Sequence, residues 1–213
     1  MNKSSLLKKL INAPYILWSV IFIIAPLIMV VYYAFTDREG NFTFANIEGL
    51  SAYTETFGRS IWYALLATII CLLLSYPLAY IMSRSKERMQ RTMMLLVMLP
   101  MWMNFLIRTY SWIAILANTG ILNTFFKSIG IGQVQMINTP GAVILGMVYN
   151  YLPYMILPLY TAMVKIDDSL IEAAQDLGGS MVNVVAKVLI PLSVPGISTG
   201  ITMVFVPSIS TFI

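Results

Sequence analysis

Charged residues in this chain come in short clusters, and long uncharged stretches run between them. Residues 10–36 give 27 uncharged positions, 60–83 give 24, 92–107 give 16 and, past Arg108, 109–126 give 18 more; 128–164 give 37 and 188–213 give 26. A helix needs about 20 apolar residues to cross a ~30 Å hydrocarbon layer at a rise of about 1.5 Å per residue. The pattern therefore predicts five membrane-spanning helices, at 14–35, 60–83, 92–116, 140–164 and 191–213. Arg108 is accommodated in the third because it lies toward one end and can snorkel. The links are short and polar. The exception is 118–140, punctuated by Gly and Asn and half apolar, which fits a short helix lying at the interface.

Composition supports the pattern. The chain is 59% hydrophobic and 10% charged, against about 45–50% and about 25% in soluble domains. A soluble core of this size could not hide so much apolar surface, which excludes a soluble enzyme, a disordered chain and a nucleic-acid binder. With no His and one cysteine, Cys71, there is no imidazole metal site, no Ser–His or Cys–His pair and no internal disulfide. Cys71 and the methionines read as packing residues. No GxxxxGK[ST] stretch occurs, so the chain carries no P-loop of its own. Metal, cofactor and catalytic residues are all expected to be absent. The opening MNKSSLLKKLINAP resembles the start of a signal peptide, but the apolar run is long and no small-residue cleavage site precedes Asp37; it reads as an uncleaved anchor.

Basic residues set the orientation. Lys3, Lys8 and Lys9, then Arg84, Lys86, Arg88 and Arg91, then Lys165 and Lys187 share one side, nine in all; Arg38, Arg59 and Lys127 lie on the other. The excess puts the N-terminus in the cytoplasm and makes the net +4 a topology signal. The division is 1–59, holding a cytoplasmic stub, the first span and an outer loop, and 60–213, holding the remaining spans.

No Asp or Glu falls within the five spans. Proton- or sodium-coupled transporters usually need ionisable or unwound coordinating groups near the midplane, so the energy source should lie on another chain. Asn104, Arg108 and Ser111 are spaced i, i+4, i+7, and Asn150, Tyr154 and Thr161 i, i+4, i+11. Each set makes one helical face. Such faces either line a translocation path or bind neighbouring helices by hydrogen bonds.

The loop KIDDSLIEAAQDLGGSMVNVVAKVLIP (165–191) reads as two short helices around a glycine hinge. Ser169 with Glu172 forms a capping box, Gly178 and Gly179 end the first helix through a left-handed cap, Ser180 caps the second and Pro191 marks its end. Small Ala173 and Ala174 permit close approach of a partner surface.

This stretch closely resembles the EAA motif of ABC-importer permeases, whose pattern is EAA, three residues, Gly, nine residues, then aliphatic-x-aliphatic-Pro. Here that is Glu172-Ala173-Ala174, Gly178, then Val188, Ile190 and Pro191. YPLAYIMSR (76–84), LPMWMNFLIRTYSWIAIL (99–116) and VYNYLPYMILPLYTAM (148–163) resemble the spermidine/putrescine permeases of that family. The resemblance implies an all-α polytopic bundle of the type I importer fold with six spans, of which this chain holds five and is read as C-terminally incomplete. It implies a non-enzymatic subunit in a prokaryotic plasma membrane that forms a path for polyamines. Two ATP-binding subunits, a second homologous permease and an extracytoplasmic binding protein are implied as partners, beside lipid and no nucleic acid. Glu172, Ala173, Ala174, Asp176 and Gly178 become the candidate ATPase-coupling residues. Asn104, Asn150, Tyr154 and Thr161 are the candidate path, and Arg108 a structural or binding-protein contact. The rival readings are a permease of the same architecture for another solute, or a stand-alone secondary transporter or scaffold.

Single cysteines at Ser51 and Ser85 in a Cys71→Ser background should label from opposite sides of the membrane. Labelling of both from one side would contradict the topology.

Overall fold

The computed structural model describes residues 12–37 and 39–212. Lys3, Lys8, Lys9 and Arg38, and with them part of the charge count, lie outside the described residues. Nearly all of the described chain is helical, and five stretches are long and apolar enough to cross a membrane. The chain divides into two units at Thr56 and Phe57.

The first unit contains α1, Asn12–Ala34. Its large side chains are exposed, as suits a helix whose solvent is lipid. The Asn46 amide donates to the carbonyls of Tyr33 and Thr36, both at 3.1 Å, and so supplies donors that the helix end lacks. A short turn between Thr36 and Phe42 stacks Phe35 on Phe42 with centroids 5.8 Å apart, and Phe44 meets both rings edge-on. The brief helix α2, Ala45–Glu48, follows.

Helix α3, Thr54–Arg84, leads into the second unit. Its buried face is a ladder at three- and four-residue steps: Ser60, Ala64, Ala67, Cys71, Ser75, Ala79 and Met82. These are small residues apart from the last, and small residues let helices approach closely where lipid provides no hydrophobic drive. Cys71 is fully buried in the core, as the sequence reading held. Next come α4, Glu87–Trp102, and α5, Phe105–Leu116. The short α6, Ile121–Ser128, falls in the segment expected to hold an interfacial helix. Fully buried Asn123 organises that segment, its amide donating to Ala117 and Val134 carbonyls and its oxygen accepting from the Val134 N–H at 2.8 Å.

Helix α7, Pro140–Met163, begins with the Thr139 hydroxyl accepting from the Ala142 N–H. It packs along the last helix, α10, Ile190–Phe212. Gly196 and Gly200 make this crossing possible. A Cβ on Gly196 would sit 2.7 Å from the Ala162 Cβ and 2.8 Å from the Pro158 carbonyl; one on Gly200 would sit 2.5 Å from the Met155 sulfur. The GxxxG spacing of Gly196 and Gly200 is the sequence signal of this crossing.

Three features of the spans differ from those expected. The third span, 92–116, is not one helix: it breaks at Met103–Asn104, where Met103 is extended and the Asn104 side chain accepts from the Leu106 N–H to start α5. The Arg108 guanidinium does not snorkel outward. It reaches back across the break to the Pro100 carbonyl at 3.0 Å, replacing a partner the interrupted ladder lost. Pro191 does not end a helix, because the chain is helical from Met181 through Thr211. A π turn at Val185–Leu189, closed by the Ile190 N–H on the Val185 carbonyl, precedes the proline. The same turn at Val20–Ile24 precedes Pro26. A proline ring collides with the carbonyl four residues back, and the wider π register admits it without breaking the helix.

Gly196→Val should cost about 1–3 kcal/mol by overpacking the α7–α10 contact, whereas Gly146→Ala, with open space around its added carbon, should be neutral. Thermal unfolding of the two variants in one detergent checks this; equal melting temperatures would contradict it.

Candidate functional site

The loop 165–190 forms at the end of the bundle where α3 and α7 both finish. Helix α8, Asp168–Asp176, starts two residues earlier than the capping box predicted. Asp167, not Ser169, is the cap: its carboxylate accepts from the Ser169 N–H at 2.9 Å. That backbone bond, with the Ser169 hydroxyl behind it, holds the Asp167 carboxyl below its ordinary range. The earlier start puts Asp168 in the first turn, within reach of Arg84. The Glu172 carboxylate pairs with nothing among the described residues.

Helix α8 ends through the anticipated glycines. Gly178 has φ +81; its N–H donates to Gln175 at 2.8 Å, and the Gly179 N–H to Ala174 at 3.0 Å. This is a Schellman closure. The two glycines serve different needs. Gly178 supplies the left-handed backbone, with open space around a would-be Cβ, whereas a Cβ on Gly179 would lie 2.5 Å from the Ala174 carbonyl oxygen. The Ser180 hydroxyl then accepts from the Asn183 N–H and starts α9, Met181–Val184.

The two sides of the loop differ. Ile166, Ile171, Val184 and Leu189 are buried together, with Tyr80 of α3 and Ala174 packed on them. Glu172, Ala173, Asp176 and Gly178 are exposed, next to Leu177 at 91% and Val182 at 76% exposure. So four of the five predicted coupling residues share the outward side with unpartnered apolar groups, while Ala174 faces inward.

Arg84, the last residue of α3, holds the loop from below. Its guanidinium donates to the Ile166 carbonyl at 3.0 Å and the Met163 carbonyl at 3.4 Å, and pairs with Asp168. It lies over the Tyr80 ring at 5.8 Å. Gln90 makes a second tie, donating to Ser83 and Ser85 carbonyls and accepting from the Tyr160 hydroxyl at 2.9 Å. The sequence reading used Arg84 only as a topology charge. Its place four residues after Tyr80, at the end of a span, was the available signal.

The polar stripes separate in the structure. Asn150 lines a cleft of about 310 Å³ with Arg108, Trp112 and Asn138. A second recess of about 230 Å³ shares Arg108 and Asn150 with it and adds Tyr151 and Tyr154. The Arg108 Nε and Asn150 Oδ1 atoms are buried there without partners among the described residues. Aromatic pairs flank the space: Trp112 with Tyr149 at 5.2 Å and Tyr151 with Tyr154 at 6.2 Å. Thr161 lies elsewhere, in a hollow of about 550 Å³ with Lys165, Pro195 and Thr199. Asn104 is occupied as a helix cap. Among the described residues no cluster of acids, Cys or His could hold a metal.

Residues 75–213 match the family described as binding-protein-dependent transport system inner membrane component. The chain is 38% identical to the spermidine/putrescine transport system permease protein PotB of Haemophilus influenzae, over 92% of its own length and 72% of that protein. It superimposes with TM-score 0.71 on a chain of a bacterial ABC transporter that imports the acidic polysaccharide alginate, at 22% identity, covering 92% of this chain and 71% of that one. A second structure, of an alginate transporter in complex with a periplasmic protein carrying an alginate pentasaccharide, matches with TM-score 0.68 and 20% identity, covering 92% and 70%. At these identities the structures establish the fold.

Proposed function

This chain belongs to the binding-protein-dependent inner membrane components, the permease subunits of ABC importers, and on that premise we propose that it forms part of a polyamine path driven through the loop 165–190. The observation that carries the substrate is the 38% identity to a spermidine/putrescine permease along 92% of the chain. The cleft chemistry is compatible with it. Tyr151 and Tyr154 offer aromatic faces to a passing ammonium group, each such contact contributing about 0.5–2 kcal/mol. No carboxylate lines the cleft. This chain therefore offers a weakly binding path, and tight selection falls to an extracytoplasmic binding protein. Thr161 stands in the hollow nearer the loop, and Asn104 serves the path by setting the start of α5.

Arg108 favours a second reading, an anionic solute. Its charge is partly engaged by the Pro100 carbonyl, which supports a structural role beside a cationic solute. We assign two ATP-binding subunits and a second homologous permease as partners. The N-terminus is assigned to the cytoplasm, on the side of the loop.

The outward side of the loop supports the coupling role. Leu177 and Val182 stand exposed beside Glu172, Ala173, Asp176 and Gly178, which suits insertion into a groove of an ATPase. In the complex reconstituted in proteoliposomes with binding protein and radiolabelled spermidine, uptake should require ATP. Gly178→Asp, which forces a side chain into a left-handed position at about 1–2 kcal/mol, should insert normally yet lose both ATPase co-purification and uptake. A variant that keeps its ATPase and transports at the parental rate would overturn the docking assignment. Competition by anionic solutes but not polyamines would overturn the substrate.

A further inference from the structure

Arg84 stands outside every function assigned above, yet one guanidinium gathers three elements. It ends α3; it closes the carbonyls of Met163, the last residue of α7, and of Ile166 in the following turn; and it pairs with Asp168 in the first turn of α8. One turn back, Tyr80 packs on the buried side of the loop. Tyr80 and Arg84, at i and i+4, thus make one face of α3 into the seat of the loop. The same helix contacts the bundle further along. The Tyr76 hydroxyl lies 3.1 Å from the Ser193 hydroxyl on α10, and the Cys71 thiol faces the Val148 carbonyl on α7 at 3.8 Å.

We propose that Arg84, through Asp168 and the Met163 and Ile166 carbonyls, is the positioning residue that transmits displacement of the loop into α3, so that ATPase closure moves a transmembrane helix rather than the loop alone. The inference rests on the coupling role proposed for the loop. The physical argument is one of stiffness. A loop joined to the bundle only by its two chain ends could tilt by changing a few backbone angles. With Arg84 in place, tilting breaks a charge-assisted bond and strips buried carbonyls of a donor. The Arg84 side chain is 19% exposed and Asp168 69%, so the carbonyl bonds anchor the guanidinium while the ion pair connects it to α8. A lysine could not serve both sides, lacking the planar fork.

The test compares Arg84→Ala and Asp168→Asn in the intact reconstituted complex, measuring ATP hydrolysed per spermidine imported. Asp168→Asn leaves the carbonyl bonds of Arg84 in place, so its result does not depend on whether Arg84→Ala folds. Coupling between sites is typically worth roughly 5–150-fold. Both variants should retain their ATPase and raise the ratio at least about fivefold. An unchanged ratio in Asp168→Asn, whether uptake is normal or falls in step with hydrolysis, would overturn the proposal. Loss of ATPase co-purification in Asp168→Asn would also overturn it, since the residue would then only shape the docking surface. If the parental complex shows no ATP-dependent spermidine uptake, the functional reading itself fails, and this inference with it.

Discussion

A helix that ends in or near a membrane must find donors for its last carbonyls, because lipid offers none. At the end of α7 the following turn meets part of that need, the Lys165 and Ile166 N–H groups donating to the Ala162 and Met163 carbonyls, and Arg84 of α3 adds a second donor to Met163 and one to Ile166 and reaches Asp168 beyond them. The rest of this end of the bundle depends on that choice. Because the donor comes from another helix, the end of α7, the start of α8 and the end of α3 hold one arrangement. Gln90 repeats the solution one link further along, joining the turn after α3 to Tyr160 of α7.

Asn150, in the cleft, precedes Met163 by 13 residues on the same helix, about 20 Å at 1.5 Å per residue. None of the residues lining the cleft belongs to the loop, so under the proposed coupling role force travels along helices. The α7–α10 pair is suited to carry it. Gly196 and Gly200 bring the two helices into close contact, and the π turn before Pro191 keeps the chain helical from the loop into α10.

Much of the loop was legible because its signals are local. The left-handed Gly178 and the Ser180 cap follow from residue types at fixed offsets, and the structure has both. The start of α8 was misread because Asp167 and Ser169 are both good caps. What separates them is Arg84, 84 residues earlier than Asp168 in the chain, and no local rule contains it. The break at Met103–Asn104 was missed for a related reason. An uncharged run reports length in lipid and is blind to an internal cap, and the Arg108 bond that accommodates the break is a tertiary fact. The polar stripes failed as single surfaces because helical spacing places residues on a face without saying how far along the helix the face stays the same. Asn150 and Tyr154 share a recess, while Thr161 opens into another hollow.

In the proposed coupling the loop and α3 move as one body. Spin labels at Ile81 on α3 and Gln175 on α8, both exposed, in a Cys71→Ser background, would read it directly by pulsed dipolar spectroscopy on the reconstituted complex. The distance distribution should be the same in the nucleotide-free and ATP-bound states. A shift or broadening on ATP binding would mean that the loop tilts independently of α3, and would rule out Arg84 as the link between them.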